Sequence, residues 1–377
     1  MQQNRRRPRL LIVGPLPPPL GGVQLMIEMQ LRSGLATEFQ LGTVDTSKRQ
    51  LRWAVENPTW RTPLYFVRDF FRLIGALARV RPDAVLVHAA PSLSFLRDWV
   101  MMVTSRMAGA KVICHYHGTT HTRFPSCETP RGRLIGRMLM RAANRVIVLG
   151  PTYQFDMGAA WRRSDVAWAP NLVDTALFAP PTAAEAAPGA GATPIVLFVG
   201  RLSAPKGIWD LFDAMPAVIA RFPAAKFALM GVAEDIARED HLRSEVVRRN
   251  LSGHIEFLGS LEGRSKALAF MRSTLLVVPS WTEAFPLVIP EGMAAGLPII
   301  ATAVGAVPDF VKNGVDGLLI PPRNPPLLAA GICKILEDDG LRVRMGSRVK
   351  ARASAEFAID IGCERVAEVI RAALERR

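Results

Sequence analysis

The chain has 377 residues, 49% hydrophobic and 21% charged, with a formal net charge of +14. Its length exceeds one ordinary hydrophobic core and favours two domains, and its composition excludes a disordered chain. No stretch approaches the roughly 20 apolar residues of a membrane span, and Cys114, Cys127, Cys333 and Cys363 lack the spacing of a zinc ribbon or a disulfide framework.

The start, MQQNRRRPRLLIVGPLPPP, imitates a secretory leader. Its apolar run is too short and prolines follow it, so the chain is expected to stay in the cytoplasm. RLLIVG, residues 9 to 14, predicts a strand, followed by a Pro/Gly loop through Gly21 and Gly22 and a helix from about Val23 to Leu35. That order opens a nucleotide-type βαβ unit. Further strands are predicted at AVLVH (84 to 88), KVICHYH (111 to 117) and RVIVLG (145 to 150), with helix-length segments between them. Around residues 179 to 194 the composition collapses to Ala, Pro, Gly and Thr, which marks a linker. Beyond it strands are predicted at 195 to 200, 226 to 231, 254 to 259, 275 to 280, 298 to 302 and 317 to 322. The expected α/β architecture is therefore two doubly wound domains, residues 1 to 178 and 195 to 358, with ligands beyond the carboxyl ends of the strands and an interdomain cleft facing both sets of ends.

Four charged residues stand out at such strand ends. Arg201 and Lys206 in FVGRLSAPKG follow one strand, flanked by Gly200 and Gly207. Two fixed cations there can neutralise a diphosphate, a task a metal ion performs elsewhere. Glu283 follows the strand LLVVPS, and Glu291 begins the helical segment EGMAAG. A carboxylate accepts two hydrogen bonds from a vicinal diol such as ribose. Between them, Phe285, Pro286 and Leu287 are expected to offer backbone N–H groups to anionic oxygens near a helix start. Each feature also has an ordinary reading: a solvated basic loop, or an acid compensating a helix dipole.

In order and spacing, FVGRLSAPKG, EFLG, PSWTEAFPLVIPEGMAAGLPIIAT and GAVPDFVKNGVDGLLIPP resemble the motifs of retaining glycosyltransferases of family 4. The resemblance implies the GT-B fold, two Rossmann-like domains, and a hexosyltransferase-type activity. It implies that Arg201 and Lys206 bind the diphosphate of a nucleotide-sugar donor, that Glu283 contacts the transferred sugar and that Glu291 binds the ribose. Gly21 and Gly22 match the family's glycine loop beside the donor phosphates, and PNLVDTALF, residues 170 to 178, its interdomain segment. The last helical segment, about 359 to 377, is expected to complete the first domain. His117, followed by Gly118, matches the family's histidine directed at the donor sugar, which makes four catalytic candidates: His117, Arg201, Lys206 and Glu283. His88, His115 and His121 are expected to be structural, with no metal and no cofactor. Two positions depart from the pattern: Met230-Gly231-Val232-Ala233 replaces a Gly-x-Gly turn, and Asp309 replaces a glutamate.

The acceptor is approached through charge. Residues 1 to 180 hold 24 Lys+Arg against 11 Asp+Glu, a balance of +13, whereas 181 to 377 hold 23 against 22, or +1. Arg61, Arg68, Arg72 and Arg79 fall on one helical face, and Arg133, Arg137 and Arg141 make a second stripe at i, i+4 and i+8. Both faces suit an anionic membrane surface, which fits a glycan or lipid-linked acceptor of a cell-surface polysaccharide or glycolipid. A GT-B epimerase or phosphorylase is the alternative enzyme. A basic nucleic-acid-binding protein is the alternative from another class, although no nucleic-acid motif accompanies the charge.

Overall fold

The apolar runs form strands of two all-parallel sheets in a computed structural model, which describes residues 6–18, 21–47, 62–91, 94–119, 128–183, 185 and 193–375. In the first unit, strands and helices alternate as β1 (Arg9–Gly14), α1 (Gly22–Arg32), the single turn α2 (Leu35–Glu38), β2 (Gln40–Asp45), α3 (Thr62–Val80), β3 (Ala84–Ala89), α4 (Ser94–Met107), β4 (Lys111–Tyr116), α5 (Pro130–Met140), β5 (Arg145–Val148), α6 (Pro151–Trp161) and β6 (Val166–Trp168). The sheet order is β2-β1-β3-β4-β5-β6. β3 is buried along its whole length, as a strand covered by helices on both faces must be.

The second unit runs β7 (Ile195–Val199), α7 (Ile208–Arg221), β8 (Lys226–Met230), α8 (Ile236–Arg248), β9 (Ile255–Gly259), α9 (Gly263–Met271), β10 (Leu275–Val278), α10 (Val288–Ala295), β11 (Ile299–Thr302), α11 (Val307–Phe310), β12 (Gly317–Ile320), α12 (Pro325–Glu337) and α13 (Asp339–Arg352). Its order is β12-β11-β10-β7-β8-β9. Phe198, Phe212 and Phe227 anchor its core. In each sheet the winding reverses once, between β1 and β3 and between β7 and β10, and such switch points are where open α/β sheets hold ligands.

The units comprise residues 1–172 with 359–377, and residues 173–358. α14 (Ile359–Glu375) packs on β3, β4, β5, α1 and α2, burying Val366 and Ile370 and pairing Arg371 with Glu38 at 2.8 Å. The boundary lies six residues before the one expected at 178. Val173 N–H donates to Phe357 O at 2.9 Å, Phe178 packs edge-on against Phe270, and Arg264 on α9 donates to Leu177 O and Ala179 O. Arg264 also pairs with Glu185 at 2.7 Å, so part of the expected linker is tied to the second unit.

β2 and β6, absent from the sequence expectation, are edge strands, as are β9 and β12, which keep apolar runs and are predicted. The residues of β2 and β6 alternate or vary in burial and leave no continuous apolar run.

One buried charge holds the far side of the second unit. Asp316, fully buried before β12, is paired with Arg352, whose guanidinium also donates to Phe310 O at 2.8 Å and to Glu356 at 2.7 and 2.9 Å. Removing the cation strands a buried carboxylate, which costs about 3–5 kcal/mol. Arg352→Met is therefore expected to lower urea-unfolding stability by about that amount; a loss below about 1 kcal/mol contradicts this assignment.

Candidate functional site

In the second unit, the loops leaving β7 and β10 carry the charged residues and are laced together. Trp281 N–H donates to Pro205 O at 2.9 Å. Gly207, at φ 74°, caps α7 so closely that a Cβ would stand 2.0 Å from Pro279 O, so only glycine fits. Gly231, at φ 144°, meets the same limit, with 1.9 Å to Gly200 O, and brings the loop after β8 against the loop after β7.

This lacing sets the charges. Lys206, ending a 3₁₀ turn at Ala204–Lys206, places Nζ 2.5 Å from Glu283 Oε1, which also accepts from Ser280 Oγ at 2.8 Å. Arg201 is half-exposed and stands 3.5 Å from Glu234. Glu291 lies in the first turn of α10, where the helix dipole favours an acid. It is buried, and Oε1 receives Lys266 Nζ at 2.5 Å. Burial raises its pKa, while the Lys266 charge and hydrogen bond pull it back down. Its Oε2 is buried and has no hydrogen-bond partner among the described residues.

Of the residues between these acids, Phe285 packs its ring 4.2 Å from that of Phe310 and 6.0 Å from that of Phe357, so its side chain belongs to the core. Pro286 has no N–H and cannot donate to an anion as expected; its carbonyl accepts from Ile289 N–H at 3.1 Å. Leu287, the residue before α10, retains a donor. Asp309 lies in the first turn of α11. Trp281, Asp210 and Arg323 carry no role in the sequence expectation. Trp281 Nε1 donates to Asp210 Oδ2 at 2.5 Å, and the Arg323 guanidinium lies 4.3 Å over the indole.

In the first unit, Gly21 and Gly22 begin α1 at the sheet's switch point, where Leu25 N–H donates to Gly21 O. The same sheet carries a histidine cluster. His88 on β3 stands in register with His115 on β4, and strand alternation brings His117 to the same face. His88 Nδ1 and His117 Nε2 are 2.9 Å apart, and His88 Nε2 is 2.9 Å from Oε1 of the buried Gln30. His88 is thus a satisfied histidine that bonds the candidate His117. His115 is fully buried and neither ring nitrogen has a partner among the described residues. Burial lowers the pKa of His117 to about 4, and burial with the neighbouring imidazoles holds His88 and His115 well below 6.5.

Among the described residues, these three histidines, with ligand atoms within 4.8 Å of one another, form the group that could hold a metal ion. At tetrahedral zinc–nitrogen lengths, ligand nitrogens stand about 3.3 Å apart. His88 and His117 would have to give up their 2.9 Å hydrogen bond and separate. His121 and Arg61 lie outside the described residues.

Of the predicted arginine stripes, Arg72, Arg79, Arg133 and Arg141 are exposed and Arg68 and Arg137 partly buried. Arg68 bonds the buried Asp69 and donates to Ser47 O at 2.9 Å, and Arg72 donates to Asp45 O at 3.0 Å, both tying α3 to the end of β2. The exposed side chains of α3 include the apolar Leu64, Val67, Phe71 and Ile74, with Phe71 67% exposed, beside the exposed Arg72. On α5, Leu134, Ile135 and Met138 are likewise exposed, with Arg133 and Arg141 exposed beside them and Arg137 partly buried. Arg79 is exposed at the end of α3. Among the described residues no helix is long and apolar enough to cross a membrane.

Residues 193–338 match the family "Glycosyl transferases group 1" and residues 41–177 match "Glycosyltransferase Family 4". A phosphatidyl-myo-inositol mannosyltransferase of Mycolicibacterium smegmatis is 31% identical over 278 residues, 72% of this chain; the chain spans 66% of that protein's length. A D-inositol 3-phosphate glycosyltransferase of Corynebacterium efficiens is 32% identical over 40% of this chain and 37% of its own. Among solved structures, sucrose-phosphate synthase from Thermosynechococcus elongatus superposes with a TM-score of 0.78 at 20% identity, covering 97% of this chain and 98% of that one. Anabaena HepE in complex with UDP-glucose gives 0.75 at 20% identity, covering 96% and 99%. The fold is that of these GT-B proteins.

The histidine cluster sets a pH dependence. A depressed folded-state pKa means that the unfolded chain takes up protons first as pH falls, so the cluster destabilises progressively below about 6.5 and down to about 4. His115→Leu removes one such group at similar volume. Its urea midpoint is expected to fall less steeply than wild type between pH 6.5 and 4; parallel curves contradict the assignment.

Proposed function

Because the chain belongs to glycosyltransferase family 4, we propose that it is a retaining glycosyltransferase moving a sugar from a nucleotide-sugar donor to a hydroxyl of a glycan or lipid-linked acceptor. One observation carries the reading: Lys206 pairs with Glu283 between the loops after β7 and β10, the strands at the switch point of the second sheet, and Lys266 pairs with Glu291 between α9 and the first turn of α10. Cations there suit a diphosphate and acids suit sugar hydroxyls. The relative named for mannosyl transfer to phosphatidylinositol supports a lipid-linked acceptor, and the neighbour bound to UDP-glucose supports a nucleotide-sugar donor.

In the proposed reaction the bond between the anomeric carbon and the diphosphate oxygen breaks while the acceptor oxygen bonds that carbon from the same face. The acceptor's proton passes to the departing phosphate oxygen. Arg201 and Lys206 stabilise the charge that develops on the leaving group, with no metal required for that task. Lys206 then exchanges Glu283 for phosphate, which frees the Glu283 carboxylate for a hydroxyl of the transferred sugar. Glu291 holds the ribose, and His117, neutral at physiological pH, hydrogen-bonds a reactant hydroxyl. Leu287 N–H and the Gly21–Gly22 start of α1 are assigned to anionic oxygens.

The acceptor side is proposed to work at an anionic membrane surface on the cytoplasmic side, within cell-surface polysaccharide or glycolipid synthesis. Outward Leu64, Val67, Phe71 and Ile74 on α3 supply apolar insertion, and exposed Arg79, Arg133 and Arg141 supply attraction to headgroups.

Two outcomes are expected. Lys206→Ala lowers turnover at least about a hundredfold in folded protein, the scale of losing an electrostatic stabiliser; near-normal turnover contradicts the leaving-group role. In flotation with phosphatidylserine-containing vesicles at low salt, wild type co-floats and Leu64→Ser/Phe71→Ser does not. Equal flotation of both removes α3 from the contact, and absence of binding by wild type removes the membrane.

A further inference from the structure

We propose that Lys266 is a positioning residue for donor recognition: it orients the Glu291 carboxylate and keeps it ionised, so that this carboxylate accepts the two ribose hydroxyls. The inference rests on the reading of Glu291 as the ribose ligand and adds a residue that no motif of the sequence marks.

The geometry is specific. Lys266 lies one turn into α9 and Glu291 in the first turn of α10, and the two helices pack together. Lys266 Nζ approaches Oε1 at 2.5 Å and also sits 6.0 Å from the centre of the Phe270 ring, one helical turn on, so the ammonium is held from two sides. Among the described residues, Lys266 is the charged group acting on Glu291, and burial is the opposing influence.

The Lys266 pair leaves acceptor capacity on the Glu291 carboxylate unused. Oε2 is buried without a partner, and Oε1 has used one of its two lone pairs. The carboxylate thus retains at least one acceptor site on each oxygen, the number a vicinal diol needs. An unpartnered buried acceptor is costly, which favours a ligand that completes it. Without Lys266, burial drives Glu291 towards its protonated form. A carboxylic acid turns one oxygen into an O–H donor and loses its charge, which makes it a weaker acceptor for a pair of hydroxyls.

The test compares wild type, Lys266→Met and Lys266→Arg, each checked for folding by urea titration. Binding of UDP and of GDP is measured by calorimetry from pH 5.5 to 8. For the nucleotide that wild type binds, we expect Lys266→Met to weaken binding at least tenfold at pH 7.5 and to lose further affinity as pH falls. Lys266→Arg recovers most of it. With the matching donor sugar, KM rises while kcat at saturation changes less than about threefold, because ribose contacts act on ground and transition states alike. In parallel, NMR of the ¹³C-labelled Glu291 carboxyl follows its titration without any nucleotide, and a higher midpoint in Lys266→Met than in wild type is expected. Nucleotide affinity and carboxyl titration both unchanged in Lys266→Met overturn the proposal while leaving the ribose reading intact. A shifted carboxyl titration with unchanged affinity shows that Glu291 does not hold the ribose and overturns both. Wild type that binds neither nucleotide also removes the ribose reading, and the positioning role with it.

Discussion

A carboxylate drawn out of water must be given a cation, and at the second sheet's switch point this requirement organises everything else. Glu291 is buried and Glu283 nearly so, and each is met by a lysine at 2.5 Å. Neither lysine arrives by local sequence. Lys206 comes from the loop after β7, brought to Glu283 because β7 and β10 are neighbours in the sheet and because Gly207 lets the chain pass against Pro279. Lys266 comes from α9, packed on α10. The fold therefore acts first as a device for neutralising two acids, and the proposed chemistry follows from which partner each exchanges when a donor binds.

The first unit meets a related problem without charge. Its cluster of three imidazoles is buried among strand ends, and burial holds all three below the ordinary histidine range. Gln30 on α1 bonds His88, and His88 bonds His117. The chain of contacts fixes the orientation of His117, the member of the cluster that is not fully enclosed. A neutral, oriented imidazole is suited to hydrogen bonding with a sugar hydroxyl rather than to pairing with phosphate.

What the sequence made legible follows physical logic. Inner strands covered on both faces must be apolar throughout, so β1, β3, β4, β5, β7, β8, β10 and β11 stand out as runs. Edge strands have no such obligation: β9 and β12 still keep apolar runs, whereas β2 and β6 do not. Arg201, Lys206, Glu283 and Glu291 were legible because they sit at strand ends in recognisable order. Lys266 was not, since a lone lysine in a helix looks solvated until its neighbour's burial is known. Helical periodicity places Arg68 and Arg72 on one face of α3, but cannot say that they also reach back to Asp69, Ser47 and Asp45 or that exposed apolar residues stand beside them. Pro286 could have been excluded as a donor from its chemistry alone.

The central claim is that the second unit's paired acids and bases hold a nucleotide-sugar donor. A crystal structure with the tighter-binding of UDP and GDP tests it most directly. The account predicts Lys206 Nζ moved from Glu283 onto a phosphate oxygen, Arg201 beside it, and both oxygens of Glu291 within hydrogen-bond distance of the ribose hydroxyls. A nucleotide bound elsewhere, with the Lys206–Glu283 pair intact and Glu291 Oε2 still without a partner, would contradict it.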